Sequence, residues 1–195
     1  MATKATASLR EKQTAATREH ILDAAYELLV HHPDLPFSHE AIAKRAGVGA
    51  RTVYRYFPAQ TDLYEELWVR VRKQAGTIFP QTEEQILPQV PVLFEGFDRN
   101  APLIRAVLES PAGHQVRERG APEGRASFSK SLERLTQGLT ASEKRQIIGL
   151  FLGVYSAAFW QLLHERGGLS GPESIAAATW AMEAFLDRLK KPKKK

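Results

Sequence analysis

Three features of this 195-residue sequence predict an all-α fold. Apolar residues recur at spacings of three and four through most of the chain, glycine and proline punctuate those stretches, and no segment alternates apolar and polar residues as a half-buried strand would. The 43% hydrophobic content is enough for a substantial core. With no cysteine in the chain, a disulfide framework, a thiolate metal site and a cysteine nucleophile are all excluded. No run approaches the roughly 18 apolar residues of a membrane span, and Met1 to Thr17 lacks the apolar stretch of a signal peptide, so a cytoplasmic location without a membrane partner is expected.

Taken in order, the first helix is expected from Thr17 to His32, with Ile21, Ala24, Ala25, Leu28 and Leu29 on its buried stripe. Pro33 and Pro36 end it. Ser38 opens a short second helix that Gly47 closes, and a third runs from about Ala50 to Phe57, where Pro58 stops it. A fourth, from Gln60 to about Thr77, carries Leu63, Leu67 and Val71 on one stripe and Asp62, Glu65 and Glu66 in its early turns, where they complement the helix dipole. Glu83 to Phe97 contains Pro88 and Pro91 and is expected to be kinked or broken. Ala101 to Ser110 reads as another short helix, and Pro111 to Gly124, rich in glycine and proline, as the longest loop. Three helices are expected after it, from Arg125 to Leu139, Ser142 to Arg166 and Gly171 to Leu189, the last two opened by caps at Ser142 and Gly171-Pro172.

The net charge of +5 points to a polyanion partner, but its distribution matters more than its total. Five lysines lie between Lys190 and Lys195, and this tail accounts for the excess without implying nucleic acid. The local balance is more telling, because Lys44, Arg45, Arg51 and Arg55 face only Glu40 between Ser38 and Gln60.

That stretch meets the steric demands of two short helices crossing steeply in a helix-turn-helix. Ala43 and Ala46 are small where the helices approach, Gly47 permits the positive φ of a tight turn, and Ile42, Val48, Val53 and Phe57 supply a small core. At about 100° per residue, Arg55 lies opposite the buried side defined by Val53 and Phe57; Arg51 is about 40° from it, Thr52 about 60°, and Tyr54 and Tyr56 about 100° to either side. Arg51 and Arg55 are therefore the candidate base readers, with guanine as the bidentate target, and Thr52 is a candidate thymine-methyl contact. Tyr54 and Tyr56 are candidate phosphate contacts, Lys44 adds positive charge, and Ser38 and His39 could hold a phosphate through exposed backbone N–H groups. A purely structural helical hairpin would share the small residues, the glycine and the apolar face. Arginines on the outer face flanked by aromatics favour the DNA reading.

The first helix, Ala41 to Val48, Thr52 to Phe57 and the following Asp62-Leu63 resemble the TetR family of bacterial regulators over about residues 17 to 70. The resemblance implies a protomer of nine or ten helices, a homodimer, a palindromic double-stranded operator, and a C-terminal domain whose small-molecule effector changes DNA affinity, most often to relieve repression. Two positions depart from the family pattern. Gln60 stands where a lysine is common before the fourth helix; it is a candidate DNA contact that can hydrogen-bond a phosphate but brings no charge to counterion release. Gly49 stands where serine is common and offers no side-chain cap.

In the C-terminal half, Ile147, Phe151, Val154 and Ala158 form one apolar stripe and Ile148, Tyr155, Phe159 and Leu163 another. A helix wetted along one face needs only one such stripe. The last helix repeats Ile175, Ala178, Met182, Phe185 and Leu189 amid small alanines. By resemblance these two helices pair with their counterparts in a four-helix dimer interface; the other reading gives both stripes to the protomer's own core. Trp68, Phe94, Phe97, Phe128, Phe151, Tyr155 and Phe159 are candidate effector contacts, each also a candidate core residue, and imply a largely apolar or aromatic ligand. His114, in the expected loop, is a candidate gate. The domain plan is a flexible arm over 1–16, a DNA-binding domain over 17–59, an effector and dimerisation domain over 60–189, and a basic tail over 190–195. No cofactor, metal site or enzyme activity is expected: the six histidines fall in no metal-binding spacing, and no phosphate loop or nucleophile elbow is present. The alternative function is a ligand-binding or protein-interaction module that keeps the fold without reading DNA.

Overall fold

The computed structural model describes residues 9–191. Ten α-helices and no strand are found among them: α1 (Leu9–His31), α2 (His39–Ala46), α3 (Ala50–Tyr56), α4 (Gln60–Ala75), α5 (Glu83–Arg99), α6 (Ala101–Glu109), α7 (Pro111–Ser131), α8 (Ala141–Val154), α9 (Ala157–Glu165) and α10 (Gly171–Lys190). No single helix among these residues is long and apolar enough to cross a membrane. The expected arm before Leu9 and the tail beyond Lys191 lie outside the described residues.

The helices enclose two apolar clusters. The first joins Ile21, Leu22, Leu28 and Leu29 of α1, Ile42 of α2, Val53 of α3 and Leu63, Leu67 and Val71 of α4, and is closed from below by Leu103, Val107 and Val116. The second gathers Ile86, Val90, Leu93, Phe94 and Phe97 of α5 with Phe128, Phe151, Trp160, Met182 and Leu186 from the later helices. α4 belongs to both, because Ala75 at its C-terminal end packs in the second cluster. Gly76, in the left-handed conformation, then ends α4 and donates to the carbonyls of Arg72 and Lys73.

Several elements differ from the sequence expectation. α1 is already helical at Leu9, the first described residue, well ahead of Thr17, and the Thr17 hydroxyl bonds back to the Gln13 carbonyl at 2.9 Å instead of capping. α5 runs unbroken past both prolines. Pro111 to Gly124 is not a loop but most of α7: Ser110 caps the helix by accepting from Gly113 N–H at 3.0 Å, and Pro111 takes the first-turn position that needs no donor. Its glycines mark close packing, since a Cβ at Gly120 would overlap the Trp68 ring. The helix expected from Arg125 to Leu139 is the end of α7 followed by turns.

The long helix expected from Ser142 to Arg166 is two. Thr140, not Ser142, caps α8 in a reciprocal box with Glu143, and the chain then bends by 53° at Tyr155 and Ser156. Ser156 starts α9 by accepting from Phe159 N–H at 3.1 Å. Ser170, one residue ahead of Gly171-Pro172, opens α10, its N–H held by the Glu173 carboxylate at 2.8 Å.

Candidate DNA interface and cavity

The turn between α2 and α3 is built by local chemistry. Ser38 Oγ accepts from Ala41 N–H at 3.2 Å, capping α2 and fixing where it starts. Gly47 closes it at φ 66°, a conformation costly for any residue with a Cβ, and Val48 N–H reaches back to the Ala43 carbonyl at 3.0 Å. Gly49 precedes α3 with no side-chain cap bond. The fully buried Val53 and Phe57 then seat α3 on α1, where the Arg18 guanidinium lies 4.7 Å from the centre of the Phe57 ring and pairs with Glu66 of α4 at 3.0 Å.

The opposite side of α3 faces solvent. Arg51 and Arg55 are exposed and Thr52 is half-buried. None of the ion pairs among the described residues engages Arg51, Arg55 or Lys44, whereas Arg45 is held by Glu27 at 3.2 Å. Arg55 lies along the Tyr56 ring at 5.1 Å, a contact worth about 0.5–1 kcal/mol at an exposed site and so easily exchanged for a stronger acceptor. Three unpaired cations and a hydroxyl on one small surface form a ready receptor for a polyanion carrying hydrogen-bond acceptors.

The His39 side chain has a structural place of its own, apart from its backbone at the start of α2. Its ring is buried, shares a hydrogen bond of 2.8 Å with the Phe57 carbonyl through Nε2, and stacks on Tyr54 at 4.3 Å between ring centres. It is a brace between α2 and the end of α3. The Tyr54 hydroxyl in turn donates to Glu40 at 2.9 Å, and that bond, with the carboxylate's charge, raises the phenol above its ordinary pKa. The Glu40 carboxyl is held below the usual range by its own backbone N–H first, then by Tyr54 and Ser38. Gln60 is the first residue of α4, and its amide donates to the Phe37 carbonyl, tying α4 to the chain just ahead of α2.

A second concavity, a cavity of about 270 Å³, lies between α4, α5, α6, α7 and the α8–α9 bend. Of the seven candidate contacts, Trp68, Phe97 and Tyr155 line it. Phe94, Phe128 and Phe151 are fully buried behind it in the second cluster, and Phe159 does not line it. The Tyr155 hydroxyl donates to the Ile78 carbonyl at 2.6 Å, and burial pushes its phenol pKa up. His114 is exposed in the first turn of α7 and is not part of the wall. Sequence reasoning missed Phe79, Arg72, Arg117 and Arg125, which do line it. Of these, Arg117 was hidden once Pro111 to Gly124 was read as a loop.

The sequence model of the bacterial regulatory proteins of the tetR family matches residues 21–67, the segment holding the first cluster, the turn and the start of α4. Residues 21–67 therefore carry a TetR-type DNA-binding segment. The HTH-type transcriptional repressor LfrR of Mycolicibacterium smegmatis is 49% identical over 51 residues, a match covering 26% of this chain and 26% of LfrR. MftR of Mycobacterium tuberculosis, named for transcriptional regulation of mycofactocin biosynthesis, is 25% identical over 91% of this chain and 95% of its own length. A tetR-family regulator from Streptomyces coelicolor superposes with a TM-score of 0.57 at 18% identity, covering 89% of this chain and 80% of that one. The shared fold therefore extends over most of the chain, while the 49% identity to LfrR is limited to 51 residues.

Replacing His39 with Ala removes the Phe57 carbonyl's partner and the Tyr54 stack, and is expected to lower unfolding stability in urea by about 1–3 kcal/mol. Unchanged stability with weakened DNA binding would make the His39 ring itself a DNA contact.

Proposed function

We propose that the chain is a homodimeric repressor that reads a palindromic operator with α3 and releases it when a small molecule occupies the cavity. The observation that carries the reading is the exposed face of α3, where Arg51, Thr52 and Arg55 stand together without an acidic partner on a helix fixed from behind by Val53 and Phe57. Arginine at the two central positions suits the O6 and N7 acceptors of guanine. Lys44, Tyr54 and Tyr56 flank them as phosphate contacts, Tyr54 by exchanging Glu40 for a phosphate oxygen. Ser38 lies at the start of α2 and Gln60 at the start of α4, so both border the same surface through helix N-termini. Repression is the role printed in the name of LfrR, which is 49% identical over 51 residues.

Dimerisation is supported by the outer faces of α8 and α10. Trp180 is 72% exposed and Leu150 56%, while Gly149 and Gly153, one turn apart, have open space where a Cβ would stand. Large exposed apolar side chains beside small residues suit a partner helix that approaches closely.

The effector reading rests on α4. Trp68, Val71, Arg72 and Ala75 line the cavity, and Leu63 and Leu67, further back on the same helix, pack into the DNA-binding core. A ligand that favours one position of α4 thereby favours one placement of α3.

Selection from a random duplex pool is expected to return a two-fold site, and Arg55→Ala to weaken binding to it by about 1–3 kcal/mol with relaxed preference at one base pair. Unchanged affinity and preference would remove Arg55 as a reader. Sedimentation is expected to show a dimer at micromolar concentration that Trp180→Glu dissociates; a wild-type monomer would leave the apolar stripes to the protomer's own core.

A further inference from the structure

The cavity's walls are chemically unequal. Aromatic and aliphatic side chains come from α4, α5 and the segment after α4, among them Trp68, Phe79, Leu93 and Phe97. The wall formed by α7 presents residues 117, 118, 120, 121, 124 and 125, most of them at spacings of three and four along one helical face. Its middle is low, because Gly120, Ala121 and Gly124 have almost no side chain, and an arginine stands at each end.

The charges do not balance. Arg72, also in the wall, is satisfied by Glu123. Arg117 is half-buried, and its one hydrogen bond, to the Val107 carbonyl at 3.3 Å, occupies a single donor of five. Arg125 forms no ion pair with the described residues. Glu118 is the one carboxylate in the lining, beside Arg117 in sequence. A half-buried guanidinium with no direct ion pair among the described residues, in a lining that holds three arginines against one carboxylate, is a local preference for an anion, since charge-assisted bonds are roughly twice as strong as neutral ones.

We infer that the effector is a compact aromatic or branched apolar acid, whose rings lie among Trp68, Phe79 and Phe97 and whose anionic head is held by Arg117, with Arg125 at the other end of the same helical face. This rests on the cavity being the effector site, and it adds the sign of the ligand's charge. Glu118 opposes the anion and sets an upper limit on its affinity.

Three probes of one shape separate the possibilities by calorimetry on the full chain: 1-naphthoate, its neutral amide 1-naphthamide, and the cation 1-naphthylmethylammonium. Naphthoate is expected to bind roughly tenfold or more tightly than naphthamide, and the cation most weakly. Arg117→Met should abolish the preference while leaving naphthamide affinity unchanged. Glu118→Gln should tighten naphthoate binding, a gain that misfolding cannot imitate. If the amide or the cation binds as tightly as naphthoate and neither substitution changes the order, the anion preference is overturned while the cavity stands as a ligand site. If none of the three binds, the effector cavity itself is wrong and this inference falls with it.

Discussion

The position of α4 is the constraint on which the rest of the molecule depends. A Cβ at Gly96 of α5 would overlap the Ala75 carbonyl, and one at Gly120 of α7 would overlap the Trp68 ring, so two glycines let neighbouring helices close on α4 at separate points. At its other end Leu63 and Leu67 are fully buried in the DNA-binding core. Interiors packed this closely do not deform continuously, and a displacement at one end of a helix with no slack reappears at the other.

Polar contacts reinforce the same axis. Arg18 pairs with Glu66 at 3.0 Å, and Arg70 reaches both Asp23 at 2.6 Å and Glu19 at 3.4 Å, stitching α1 to α4 along their length. Arg72 then pairs with Glu123 of α7. Each exposed pair contributes at most about 1 kcal/mol, so the apolar contacts supply the stability and the pairs fix the register between helices. Because α1 and α2 hold α3 in turn, the orientation of Arg51 and Arg55 follows from where α4 sits.

The DNA-binding end was legible in the sequence because its signals are local. A cap at Ser38, a positive-φ glycine at 47 and an apolar i, i+4 pair at Val53 and Phe57 act within one or two turns and need no distant partner to be interpreted. The bracing place of the His39 ring was not legible because it depends on the Phe57 carbonyl and the Tyr54 ring, which only the folded turn brings to it. The α7 segment failed for a related reason. Gly113 and Gly120 have the composition of a loop, yet they are there because Val107 and Trp68 come too close for any side chain, a demand set by tertiary contact. The apolar stripes after residue 140 were legible as stripes but not as two helices, since the break at Tyr155 and Ser156 depends on a serine cap within an otherwise helical pattern. Nor did periodicity mark Trp180, which lies outside the stripe of α10 and on its exposed side. Phe94, Phe128 and Phe151 could not be told from cavity residues by type alone, because both settings favour large aromatic side chains.

The most direct measurement is the operator affinity of Gly120→Ala, a change remote from α3 that pushes on Trp68 and so on α4. If α4 couples the cavity to the DNA-binding helices, affinity for the selected operator shifts by about 5–150-fold while helical content and the dimer are preserved. Wild-type affinity in a folded, dimeric Gly120→Ala protein would contradict it.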